Sequence, residues 1–222
     1  MAKIGVKIGI GVLIIVIGTI VTGYATYEMN MNGETATLAA VNVKEIRQVS
    51  HSLGSTDAPI KIIEFGDYQC PFCGEWLQET SPTLKEKFIN TGKVELIFVD
   101  YPFLGPDSYP TAHASFCAEE QDKYWQFHET VYISQGNTND GWANAENIRS
   151  IVQNLDIDIN QFDQCMSSNG YNQKIDANLL IGENHNVNQT PTFLVLNKDG
   201  EYQKIEGKQP IVVFEEIINE LS

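Results

Sequence analysis

Basic residues are scarce in this chain. Its 222 residues carry 14 Lys+Arg against 29 Asp+Glu, a formal net charge of −15. A surface so short of cations repels a phosphate backbone, which argues against nucleic acid as a partner and for an acidic, solvated exterior. Histidine is scarce too. His51, His113, His128 and His185 stand apart with no ligand spacing between them, so no metal site is assigned. No internal repeat or low-complexity tract occurs, which argues against solenoids and disordered arrays. Cysteine is limited to four residues, and only Cys70 and Cys73 are close together. A zinc site built on that pair normally needs a second close pair, whereas Cys117 and Cys165 are isolated.

What is present begins with one long apolar run. Ile8 to Tyr27 contains no charged side chain and is long enough to cross a bilayer as a helix. A cleaved signal peptide is the competing reading, with small residues at Gly23-Tyr24-Ala25; an uncleaved anchor over residues 1–27 is the favoured one. Lys3 and Lys7 precede the run. The positive-inside rule therefore puts the N-terminus in the cytoplasm and the rest of a single-pass cell-membrane protein on the extracytoplasmic side. The even number of cysteines agrees with an oxidising compartment. Residues 28–47 read as a linker, overlapping at their end a candidate edge strand over Lys44–Val49. Hydrophobic content of 42% is enough for a packed domain over 48–222.

That domain is organised around Lys61 to Cys73. Ile62, Ile63 and Phe65 have the composition of a buried strand, which Gly66 and Asp67 break. Cys70-Pro71-Phe72-Cys73 then opens a helix. The fixed φ of Pro71 suits the first helical position, which makes Cys70 the N-cap and sets Cys73 one turn inside. A sulfur at a helix N-terminus faces unpaired N–H groups and the positive end of the dipole. Cys70 is therefore expected to have a depressed pKa and to be the attacking, solvent-facing thiol, with Cys73 as its shielded partner. Glu64 is a carboxylate amid Ile62, Ile63 and Phe65. Burial raises the pKa of such a group and suits it to move protons near neutrality.

Downstream, Pro82 should interrupt the helix, Val94 to Val99 reads as a second main strand, and residues 104–186 read as mostly helical. Thr192 to Leu196 reads as a strand, Asn197-Lys198-Asp199-Gly200 as a hairpin turn, and Glu201 to Glu206 as its partner. Ile211, Phe214, Ile217, Ile218 and Leu221 fall at helical spacing.

The strand, the C-P-F-C motif and its helix, with Thr190-Pro191-Thr192-Phe193 far downstream, resemble the DsbA-like branch of the thioredoxin-fold disulfide oxidoreductases. Cys117-Ala118-Glu119-Glu120-Gln121, followed by Tyr124-Trp125, and Phe162-Asp163-Gln164-Cys165 extend the match into the helical block. The resemblance implies an α/β, thioredoxin-like fold with an inserted helical domain, here preceded by the transmembrane helix. It implies a cis Pro191 facing the redox pair, with Thr190 presenting backbone to substrate. It places Glu64 where the family keeps an acidic residue beneath the disulfide, serving Cys73. Phe72 departs from the DsbA type, which has a histidine there; without that cation the expected oxidant is weaker.

Cys117 and Cys165 are expected to form a structural disulfide; two unpaired core thiols and a second redox pair are the alternatives. The implied activity is introduction or exchange of disulfides in secreted or surface proteins, without a cofactor. Its partners would be thiol-containing substrate proteins and a membrane redox partner that reoxidises Cys70 and Cys73. The alternative is a soft-metal delivery module that carries copper on the same two thiols.

Overall fold

The computed structural model describes residues 40–222. The anchor expected over residues 8–27, and most of the linker after it, lie outside the described residues. Five strands form one sheet in the order β1-β3-β2-β4-β5. They span His51–Leu53 (β1), Ile60–Gly66 (β2), Val94–Asp100 (β3), Thr192–Leu196 (β4) and Tyr202–Glu206 (β5). β2 runs parallel to β3 and antiparallel to β4, while β1 and β5 close the edges antiparallel. The three central strands are buried along almost their whole length, which explains their near-continuous apolar composition.

The first helix corrects the expectations for this part of the chain. Val43–Val49 (α1) is helical, not an edge strand, and the expected linker therefore ends short of residue 47. Asn42 Oδ1 accepts the Glu45 N–H as a helix cap, and Ile46 is buried against Ile63, Phe65, Ile97 and Val99. The cap and a single buried face decide the local structure over a stretch too short for periodicity to settle. The edge role passes to β1.

Between β2 and β3 run Pro71–Glu79 (α2) and Ser81–Leu84 (α3), continued by a π-helical turn over Lys85–Ile89. The break falls just before Pro82, as its ring requires. Gly92, at φ 72°, turns the chain into β3. The helical block expected over 104–186 comprises Ser108–Glu119 (α4), Tyr124–Ile133 (α5), Ala145–Val152 (α6), Ile159–Met166 (α7) and Asn172–Asn184 (α8). Ile211–Leu221 (α9) closes the chain.

Alternation along β2 sorts the core into two layers. Ile60 and Ile62 face one way, packing with Trp76, Leu84, Phe193, Phe214 and Ile218 beneath α2, α3 and α9. Ile63 and Phe65 face the other, toward α1. Glu64 shares the parity of Ile62, so its carboxylate belongs to the layer beneath α2. In register it is flanked by Phe98 of β3 and Phe193 of β4. A third cluster joins the helical block to the sheet and contains Cys70 and Cys73 together with Tyr68, Phe98, Phe127 and Tyr132.

Candidate active site

The turn that ends β2 is fixed by its own carboxylate. Asp67 accepts hydrogen bonds from the N–H groups of Gln69 at 2.8 Å, Phe103 at 2.9 Å and Leu104 at 3.0 Å, tying the turn to the segment that follows β3. The Cys70 N–H donates to the Asp67 carbonyl at 2.9 Å. Cys70 then stands at the N-cap of α2 with Pro71 as the first helical residue, as the motif requires.

The two thiols are free and their pKa values move apart. That of Cys70 falls from the ordinary thiol value to about 7. A hydrogen bond from the Cys73 thiol lowers it most; burial opposes this, and the N–H groups of Cys73 and Phe72 add to the lowering. Cys73 rises well above the ordinary value, through burial first and then through Cys70 and the charge of Glu64. One sulfur ionises near neutral pH while its neighbour stays protonated, the division of labour that exchange through a mixed disulfide needs.

One expectation is corrected. Cys70 does not face solvent: it is 3% exposed, packed among the helical block's side chains and beside the Thr190 loop. The solvent-facing members of the motif are Pro71 and Phe72, the latter at 55%. N-cap geometry fixes the direction of a sulfur along its helix but says nothing of what a domain inserted much later in sequence lays over it.

The loop before β4 completes the site. The Thr190–Pro191 peptide bond is cis, and the Cys70 thiol donates to the Thr190 carbonyl at 3.1 Å. Thr190 Oγ1 is buried without a hydrogen-bond partner. Beneath the pair, Glu64 is 2% exposed and its Oε2 also lacks a partner. Burial, followed by the charge of Cys70, raises its pKa well above the usual carboxylate range.

Cys117 and Cys165 form a disulfide between α4 and α7. His113, one turn before Cys117, lies close enough that its ring nitrogen and both sulfurs fall within 4.8 Å of one another, but the sulfurs are bonded to each other. His51 is a buried ion-pair partner. Its ring stacks on Tyr124 at 3.5 Å, with Asp100 at 3.2 Å and Glu119 at 3.0 Å from its two nitrogens. Burial alone would lower its pKa, but these two carboxylates raise it. Neither this cluster nor the polar residues 135–139 over the redox turn had a signal in the sequence, because their partners lie tens of residues away.

A free dithiol at a helix start, one thiol acidified and the other protonated, beside a cis-proline loop on this sheet, is a redox centre of the thioredoxin type. A thioredoxin family model matches residues 47–219. Over 179 residues the chain is 35% identical to a protein of Bacillus anthracis described as a probable disulfide bond formation protein D, covering 79% of this chain and 78% of that one. Oxidised BdbD from Bacillus subtilis superposes with a TM-score of 0.70 at 24% identity, covering 78% of this chain and 92% of that one. Alpha-DsbA1 from Wolbachia pipientis does so with a TM-score of 0.65 at 28% identity, covering 78% and 90%. The chain belongs to the thioredoxin family, in its DsbA-like branch of thiol:disulfide oxidoreductases.

Proposed function

We propose that the chain introduces or exchanges disulfide bonds in secreted or surface proteins, on the extracytoplasmic side of a membrane to which residues 8–27 anchor it. The observation that carries this reading is the opposed shift of the two thiols. A substrate thiolate attacks the Cys70 sulfur of the Cys70–Cys73 disulfide; the S–S bond breaks and its electron pair leaves on Cys73. The Glu64 carboxyl, whose burial raises its pKa well above the usual carboxylate range, gives Cys73 a proton. A second substrate thiolate then attacks the substrate sulfur of the mixed disulfide and expels Cys70 as a thiolate, a good leaving group with its pKa about 7. Two substrate thiols have become a disulfide, and the enzyme holds a dithiol. A membrane redox partner takes those two electrons and restores the Cys70–Cys73 bond.

Thr190 and Pro191 border the sulfur that receives substrate, and the Thr190 hydroxyl, engaged nowhere else, is free to turn toward the thiolate. The Cys117–Cys165 disulfide and the uncharged run at Ile8–Tyr27 support the extracytoplasmic location. The test is insulin reduction and refolding of a scrambled disulfide substrate by the Cys70→Ala variant. Loss of both activities is expected. Retained turnover would remove Cys70 from the reaction and overturn this reading.

A further inference from the structure

Three consecutive carbonyls of the redox turn are held by one short segment of the helical block. Gln135, two residues past the end of α5, donates through Nε2 to the carbonyls of Tyr68 and Cys70, each at 2.8 Å. Thr138 Oγ1 donates to the Gln69 carbonyl at 2.9 Å. Asn139 and the buried Gln69 side chain exchange hydrogen bonds: the Asn139 N–H donates to Gln69 Oε1 at 2.9 Å, and Gln69 Nε2 to Asn139 Oδ1 at 3.2 Å. We propose that Gln135 is a positioning residue that holds the Cys70 peptide in place, so that the N-terminus of α2 stays aimed at the Cys70 sulfur.

Pro71 sets the constraint at the helix start. A proline there removes one of the N–H groups at the helix start, so Phe72 and Cys73 supply the nearest backbone donors to a thiolate on the N-cap residue. Their aim depends on the plane of the Cys70–Pro71 peptide, whose carbonyl Gln135 grips. That carbonyl also accepts the N–H groups of Cys73 at 3.2 Å and Gly74 at 3.3 Å, both longer than the Gln135 bond. Without Gln135 the Tyr68 carbonyl loses its side-chain donor and the Cys70 carbonyl keeps only its two longer backbone bonds, which loosens the turn and lets its partial negative charge shift toward the sulfur.

Gly74 supplies an independent handle. A Cβ added there would lie 2.5 Å from Gln135 Oε1, inside van der Waals contact. The far end of a flexible side chain is what would yield, so an alanine at 74 should dislodge the amide without removing it. By helix propensity alone that substitution is stabilising. The two effects are thus separable: helix propensity acts on stability, the amide on the sulfur.

This inference rests on the reading of Cys70 as the exchanging thiol, but its test reads ionisation and not turnover. The pH profile of Cys70 alkylation is measured in the full chain and in the Gln135→Leu, Gln135→Glu and Gly74→Ala variants, with thermal unfolding alongside. Gln135→Leu should raise the Cys70 pKa by about half a unit to one unit, lowering the thiolate fraction at neutral pH about twofold to fivefold. Gln135→Glu, which keeps length but loses the donor and adds negative charge, should raise it further. Gly74→Ala should match Gln135→Leu in pKa while its unfolding temperature holds or rises. A folded Gln135→Leu protein with an unchanged Cys70 pKa overturns the proposal. Should that variant fail to fold, Gly74→Ala decides alone: an unchanged pKa there overturns it equally. Retained turnover in Cys70→Ala would defeat the exchange reading while leaving this titration meaningful.

Discussion

The chain holds two pairs of cysteines, both buried, and they do opposite things. Cys70 and Cys73 sit at the start of α2 as free thiols, whereas Cys117 and Cys165 join α4 to α7 across 48 residues of sequence. Exposure does not separate them, since all four residues are between 0% and 7% accessible. What differs is the polar company. Cys70 has helix-start N–H groups, the Thr190 loop and, beneath it, an ionisable carboxyl; Cys117 sits in the last turn of α4, far from the helix start and its unpaired N–H groups. Reactivity follows the donors that can meet a thiolate and not the depth at which the sulfur lies.

The sharpest way to break that comparison is to remove one member of each pair. Cys70→Ala should abolish insulin reduction, while Cys117→Ala/Cys165→Ala should keep turnover and lose stability. Closing a loop of this length contributes about 4 kcal/mol in the chain-entropy account. For a domain of this size that corresponds to a fall of about 10 °C in the thermal midpoint, measurable by calorimetry. If the double alanine variant lost turnover at a temperature where it remains folded, the second pair would be a relay and the contrast would vanish.

Glu64 comes next. Glu64→Gln should slow turnover about a hundredfold, the usual range for losing a positioned proton donor, and should remove the carboxyl's titration from the pH–rate profile. Its folded-state pKa is raised above the ordinary carboxylate value of 4.5, so the folded chain binds the proton more tightly than the unfolded chain does. Stability contributed by the neutral carboxyl is present at low pH and falls as pH rises from that value toward the folded pKa. Denaturant titrations across this window should show the decline in the parent protein and its loss in Glu64→Gln. A matching decline in both would move the cause elsewhere.

Much of this site is readable from residue order. The C-P-F-C motif fixes the N-cap, the proline and the inward thiol, because those relations lie within one helical turn. Glu64 is legible because a charge inside an apolar strand is conspicuous, and strand parity then puts it beneath α2. Cys70's burial, the Asp67 anchor and the Gln135 grip are not legible, since each depends on a surface laid down by residues 36 to 120 positions further along. Val43–Val49 was obscure for a different reason. A seven-residue segment carries too little periodicity to separate helix from strand, and the Asn42 cap decides it.

The smallest expected effect concerns Phe72, the exposed aromatic of the motif. Phe72→His places an imidazole where its cationic form would favour the neighbouring thiolate. It should lower the Cys70 pKa below about 7 and shift the equilibrium with glutathione a few-fold toward the reduced enzyme. A titration against glutathione buffers checks this, and a shift toward the oxidised enzyme would contradict it.

The central claim is that two thiols one helical turn apart differ in acidity because of what each faces. Alkylation of the reduced protein as a function of pH, with each cysteine quantified separately by mass spectrometry, tests it most directly. The account predicts half-maximal reaction of Cys70 at about pH 7, with Cys73 silent until well above pH 9. A Cys70 that titrates at the ordinary thiol value of 9.0, or a Cys73 that reacts first, would contradict it.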